Sequence, residues 1–277
     1  MNLYISADME GVAGVCSWHQ INARTPNSDY ALYRRFFTEE ILAAIAGARA
    51  GGAGDILLND SHGPMRNVIL DDLPDGVRVI FGNRKPFSMV QDAERSSGAF
   101  FVGYHGAVGE PNAALCHTYT PSVIYEARVN GIVCSEATLN AALLGQWGVP
   151  VLLITGDRTT VEGVQQTLPW VVGAVVKESI GQSCVNSLHP RAAQAVIQEA
   201  ASQAVRLAAH AKPFVFTVPI ELQIDVAAVE QADFIALIPG FARIGRRTVR
   251  FIHDDYAVVF KAFVAAFRLG AAATAPG

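Results

Sequence analysis

The sequence predicts an α/β fold of three layers, with a mainly parallel sheet and a second, mixed or antiparallel α+β part intertwined with it. Three observations lead there. Short apolar runs alternate with a helical pattern through the first half of the chain. Several of those runs stop on an acid or a histidine. The last third carries strand-like runs and helices without βαβ alternation.

The first run is Leu3-Tyr4-Ile5, and Ser6-Ala7-Asp8-Met9-Glu10 follows it directly. Residues 30–49 place Leu32, Phe36, Ile41, Leu42 and Ile45 at helical spacing with charges between them. That pattern ends at Gly51-Gly52-Ala53-Gly54, a glycine-rich helix stop. Strands are expected at 56–59, 77–81 and 99–104. Asn130-Gly131 lies between two apolar-rich runs, 123–129 and 132–133, and reads as a type I′ hairpin turn. A helix over 137–147 should follow, with Ser135 as its cap and Glu136 in its first turn. Further strands are expected at 151–155, 171–176, 214–218, 234–238 and 248–252, with helices over 192–209 and 256–269 and a frayed tail over 270–277. The chain reads as one compact unit over 1–277, with a metal-site α/β part near 1–190 and a mixed α+β part near 191–277.

Composition excludes several classes. Of 277 residues, 51% are hydrophobic and 17% charged, so a sizeable core can form. A formal net charge of −4 gives no electrostatic reason for a nucleic acid or an anionic membrane as partner. A strand begins at once with no basic leader, and polar residues or glycines break each apolar stretch. The expectation is therefore a cytoplasmic protein without a membrane span. Cys16, Cys116, Cys134 and Cys184 form no Cys-x-x-Cys pair, so four buried or half-buried free thiols are expected. No dinucleotide fingerprint, Walker loop or Gly-x-Ser-x-Gly elbow is present.

In a parallel sheet, ligands bind beyond the carboxyl ends of the strands. Asp8, Glu10, Asp60 and His105 lie at such ends, and the hairpin delivers Glu136. Singly, each acid is well explained as a helix cap or a partner of backbone amides. As a set, four carboxylates and one imidazole in one crevice call for cations, and two divalent ions would match the charge. The mixed oxygen and nitrogen donors suit zinc, or manganese. Two such ions share a bridging hydroxide in many hydrolases. Asp8 and Glu10 would face one way by the period of a strand, provided the strand runs through Glu10. His117 is either a proton donor beside the metals or a satisfied loop histidine. His62 is a neighbour that could orient a ligand or act as an extra one. The segment Lys85-Pro86-Phe87-Ser88-Met89-Val90 could supply an apolar pocket wall through Phe87 and Met89, and Gly156-Asp157-Arg158 a pocket edge or a local ion pair.

The collinear set Ser6-Ala7-Asp8-Met9-Glu10-Gly11-Val12-Ala13-Gly14, Asn59-Asp60-Ser61-His62, Lys85 to Val90, Gly103-Tyr104-His105, Cys116-His117 and Glu136 with Leu139-Asn140-Ala141 resembles the D-aminopeptidase family once named for dipeptide transport, the M55 peptidases. The resemblance implies a binuclear zinc peptidase with Asp8, Glu10, Asp60, His105 and Glu136 as ligands and His117 as the catalytic histidine. It implies a water activated by two zinc ions, attack on short peptides containing D-amino acids, and a homodecamer of two stacked pentamers. The rival readings are a metal-dependent amidase or phosphoesterase at the same site, and a non-catalytic peptide-binding protein.

Overall fold

The computed structural model describes residues 1–26 and 28–273. In chain order the elements are β1 (Leu3–Ala7), α1 (Trp18–Ile21), α2 (Tyr30–Gly51), β2 (Ile56–Asp60), β3 (Val77–Ile80), β4 (Gly98–Tyr104), β5 (Ile124–Val129), β6 (Ile132–Val133), α3 (Glu136–Gln146) and β7 (Val151–Asp157). They continue with α4 (Arg158–Thr167), β8 (Val172–Gly181), β9 (Cys184–Ser187), α5 (Pro190–Arg206), β10 (Ile220–Val226), α6 (Val229–Ile235), β11 (Phe241–Arg243), β12 (Thr248–His253) and α7 (Tyr256–Ala273).

Seven strands form the larger sheet in the order β3-β2-β1-β4-β7-β8-β9. All its pairings are parallel except β8 with β9. Every residue of β1, β4 and β7 is buried, as expected of parallel strands covered on both faces. Alternation sends Leu3, Ile5 and Ala7 into the core shared with α2 and α5, while Tyr4 enters the core of the opposite face. A second, antiparallel sheet runs β11-β12-β10-β5-β6 and shares that opposite core with α3, α6 and α7. The expected class thus stands: a mostly parallel sheet, helices on both faces, and a second antiparallel sheet woven through them. The two parts interleave across residue 190, because β5 and β6 join the second sheet while α5 packs on the first.

The hairpin forms as expected, with Asn130 at φ +50° and Gly131 at φ +80°. Four expectations are corrected. Residues 214–218 form no strand; the edge-to-edge partner of β12 is β10, which starts at Ile220. Residues 234–238 fall on the end of helix α6 and the turn after it, because a short apolar run fits a buried helix as well as a strand. Four residues of the expected tail, 270–273, extend α7, and its remainder, 274–277, lies outside the described residues. Finally, α7 holds an 18-residue window of mean hydropathy 1.5, apolar and long enough by composition to cross a bilayer. Here its Tyr256, Val259, Phe260, Phe263 and Phe267 face the core instead. All four cysteines are free; Cys134 is buried, Cys16 and Cys116 are half-buried, and Cys184 is exposed.

Candidate metal centre

β1 stops at Ala7, so strand periodicity does not carry Glu10 to the site. A tight turn does. Asp8 N–H donates to Val102 O at 2.8 Å and Gly11 N–H to Gly103 O at 2.7 Å, which locks the turn against the end of β4. The two backbones come so close that only glycine fits. A Cβ on Gly11 would lie 2.0 Å from Tyr104 O, and one on Gly103, at φ +71°, 2.1 Å from Asp8 O. This contact sets His105 beside Asp8. Inside the turn, the buried Lys177 ammonium donates to the carbonyls of Glu10, Val12 (3.0 Å) and Val15 (2.7 Å). Ala13 N–H donates to Glu40 Oε1 at 2.9 Å. Burial pulls Lys177 down to about 8 and pushes Glu40 up to about 7.

Three imidazoles meet three carboxylates at this point. His62 Nδ1 lies 3.2 Å from Asp8 Oδ1 and 3.0 Å from Glu10 Oε2. His105 Nε2 lies 3.4 Å from both Asp8 Oδ2 and Glu136 Oε1. His117 Nε2 lies 3.6 Å from Glu136 Oε1, and its ring stacks on His105 with centroids 4.1 Å apart. In each case the other ring nitrogen faces a backbone carbonyl: His62 Nε2 on Ile21 O (2.9 Å), His105 Nδ1 on Gly106 O (2.9 Å), His117 Nδ1 on Leu115 O (2.8 Å). A carbonyl only accepts, so those nitrogens carry the proton, and in the neutral rings the inward nitrogens present lone pairs to the carboxylates. His105 Nε2 is buried with no hydrogen-bond partner. Carbonyl-oriented imidazoles aimed at carboxylates are the arrangement in which a metal ion is held.

Ligand atoms of three trios come within 4.8 Å of one another: Asp8-Glu10-His62, Asp8-His105-Glu136 and Glu10-His105-His117. The donor set fits zinc by chemistry, being carboxylate oxygen and imidazole nitrogen. The electrostatics carry the same message. Burial disfavours charge on His62 and His105, but Glu10, Glu136 and Asp8 overcome it and hold both well above the ordinary histidine range. Burial raises Asp8, yet its contacts with His105 and His62 outweigh that and hold it well below the usual carboxylate value. The cluster demands positive charge, whether from protons or from a metal.

Asp60 belongs to none of the trios, contrary to expectation. Its carboxylate accepts from Asn67 N–H, from Asn67 Nδ2 at 2.8 Å and from Val68 N–H at 2.8 Å. The reason is register. Asp60 pairs with Ala7 across β1 and β2, so it shares the face of Ala7, which meets the core under α2 and α5. It shapes the loop that carries His62, since Asn67 Nδ2 also donates to His62 O at 2.7 Å. Burial raises its pKa against those hydrogen bonds.

Glu136 arrives as expected, on the first turn of α3, where Ser135 Oγ accepts from Thr138 N–H at 3.2 Å. Tyr119 N–H donates to Glu136 Oε1 at 2.6 Å and fixes the carboxylate. Trp18 sets its edge on His117, with centroids 5.3 Å apart. Lys85 holds Asn59 Oδ1 and Asp60 O (2.7 Å) from within the fold, and burial lowers it to about 8. Ser88 and Met89 line the cavity over the cluster, whereas Phe87 turns its ring to Trp147 at 5.0 Å. Asp157 caps α4 and accepts from Ser179 Oγ at 2.8 Å, and Arg158 pairs with Glu178 in the open, so neither edges the pocket. Sequence reasoning missed Lys177, Glu40 and Trp18. Only Trp18 had a local signal, the capping box of Ser17 and Gln20 that starts α1.

With this geometry in hand, comparison with known proteins is informative. Residues 1–265 match the Peptidase_M55 family model, described as D-aminopeptidase. The chain is 32% identical over 269 residues to a D-aminopeptidase of Bacillus subtilis (strain 168), covering 95% of this chain and 96% of that one. It superposes on the solved structure of the Zn-dependent D-aminopeptidase DppA from Bacillus subtilis, a self-compartmentalizing protease, with a TM-score of 0.93, 31% identity and 98% of each chain covered.

Proposed function

This chain belongs to the Peptidase_M55 D-aminopeptidase family of metallopeptidases, and on that premise we propose that it removes the N-terminal residue from short peptides, D-amino-acid peptides among them, with two zinc ions. The observation that carries the proposal is the pair of trios, Asp8-Glu10-His62 and Asp8-His105-Glu136, which share Asp8. Asp8, Glu10, His62, His105 and Glu136 are the residues that would hold the ions. His62 replaces Asp60 in the expected ligand set, because its inward nitrogen faces Asp8 and Glu10 while Asp60 is taken up by amides. When bound, zinc supplies an acidified water and polarises the scissile carbonyl.

The chain's own residues do the rest. Leu115 O holds the Nδ1 proton of His117, so Nε2 is the atom free to take up a proton and pass it to the leaving amine. Stacking on His105 and the edge of Trp18 keep that ring in place. Tyr119 N–H keeps Glu136 from rotating away.

The relative's self-compartmentalization supports a closed homo-oligomer for this chain as well, with the decamer as its specific form; mass photometry of the purified protein tests it. Parallel assays of D-Ala-D-Ala, L-Ala-L-Ala and simple amides, before and after chelation, test the activity. Chelation-sensitive cleavage of the D-dipeptide is the expected result. Turnover of simple amides alone would replace the reading with an amidase.

A further inference from the structure

The cavity over the cluster has a volume of about 500 Å³ and is lined by both acids and arginines. Asp8, Glu10 and Glu136 line it together with His62 and His117. Arg24, Arg66 and Arg268 line it as well, from three separate segments: the loop after α1, the loop after β2, and the last turns of α7. Among the described residues none of the three guanidinium groups pairs with a carboxylate. Arg268 donates to Asn83 Oδ1 at 2.6 Å and lies over the Phe267 ring at 5.2 Å. Arg24 and Arg66 are exposed and hold no side-chain partner there. Burial, with Arg84 nearby, lowers the pKa of Arg268, so positive charge is concentrated here without an acid to balance it. By contrast Arg34, behind the same loop, is tied to Asn67 O and Val68 O.

Unpaired arginines gathered at a substrate cavity of a protein with net charge −4 call for an anion. The guanidinium fork suits a carboxylate, which it binds in bidentate fashion. We propose that Arg24, Arg66 and Arg268 form a carboxylate-binding end of the substrate cavity that receives the C-terminal carboxylate of a short peptide whose N-terminal end lies at the metal-site acids. The inference rests on the peptidase reading for what the cavity holds. A short peptide ends in a carboxylate, which the arginines match, while the peptidase reading puts its amino end at the metal site. A C-terminal carboxylate and an acidic side chain in the second residue share this chemistry; three arginines lining one cavity from separate segments favour the terminus, which every short peptide carries.

The test compares three peptides on the zinc-loaded enzyme: an alanyl dipeptide as free acid, its C-terminal amide, and the amide of Ala-Asp, each of the stereochemistry that is cleaved faster. Binding of acid and amide is measured alongside by calorimetry. The free acid should exceed its amide roughly tenfold or more in kcat/KM, chiefly through KM, since hydrogen bonds between charged groups are lost. In Arg66→Ala and Arg268→Ala that ratio should fall toward one, and Arg66→Lys should retain part of it. Equal rates for acid and amide, or a ratio unmoved by both alanine variants, would overturn the arginine assignment and leave the peptidase reading intact. An Ala-Asp amide as good as the free acid would overturn the terminus in favour of the side chain. Selective binding of the acid with no cleavage of any peptide would support the arginines and sink the peptidase reading.

Discussion

Lys177→Met is the most informative single change outside the ligands. Lys177 is 2% exposed, and its ammonium is the only side-chain donor to the carbonyls of Glu10, Val12 and Val15 among the described contacts. Methionine fills a similar volume, so the cavity cost is small. Each buried carbonyl left without a donor costs about 1–3 kcal/mol. Val12 O keeps the N–H of Val15 at 3.1 Å, so two carbonyls lose their donor, at mid-range about 4 kcal/mol. Release of a buried charge offsets part of this: Lys177 sits at about 8 against a reference of 10.5, a difference of about 3 kcal/mol. The net expectation is a loss of about 1 kcal/mol in stability. Urea unfolding of the metal-free protein at pH 7, followed by tryptophan fluorescence, reads this directly. Zinc affinity should fall as well, because the turn that aims Glu10 loses its internal tie. A variant at least as stable as the parent, with unchanged zinc affinity, would refute the reasoning.

Other changes separate the roles of neighbouring groups. Glu40 is raised from 4.5 to about 7, so its contribution to stability is fully present below pH 4.5 and is lost as pH rises through 7, by about 3 kcal/mol. Glu40→Gln keeps an acceptor for Ala13 N–H and should remove that fall, leaving the variant the more stable at pH 8; parallel pH profiles of unfolding would contradict this. His62→Ala should weaken zinc binding at least tenfold by competition with a chelating dye, since a ligand matters no less than the groups around it. Asp60→Asn should keep zinc stoichiometry while costing about 1–3 kcal/mol in unfolding, because its NH₂ would then face the donor Asn67 Nδ2; the reverse pattern would restore Asp60 as ligand. His117→Ala should lose roughly 10² to 10⁴ in kcat with zinc retained, and unchanged turnover would remove His117 from proton transfer.

Much of this architecture is legible in the sequence because its signals are local. Buried parallel strands read as apolar runs, and Asn130-Gly131 specifies its turn through backbone sterics alone. Glu136 could be placed because the hairpin and the Ser135 cap together fix where α3 starts. Which of Asp60 and His62 turns toward Asp8 and Glu10 is not legible locally, because it depends on register. Only the pairing of Ala7 with Asp60 shows which face Asp60 takes, and no local pattern contains that pairing. Lys177 and Glu40 escaped for a similar reason. Each touches the Glu10 turn from a distant element, and a charged residue in an ordinary strand or helix gives no sign that it will be buried. The run at 234–238 was misread because a short apolar stretch has too few residues to reveal its period.

The central claim is a two-ion centre held by Asp8, Glu10, His62, His105 and Glu136. Stoichiometric zinc titration of the chelated enzyme, following cleavage of D-Ala-D-Ala against bound metal counted by mass spectrometry, tests it most directly. The account predicts no turnover without metal and a rise that breaks at two zinc ions per chain. Full turnover in the metal-free protein, or a break at a single ion, would contradict it.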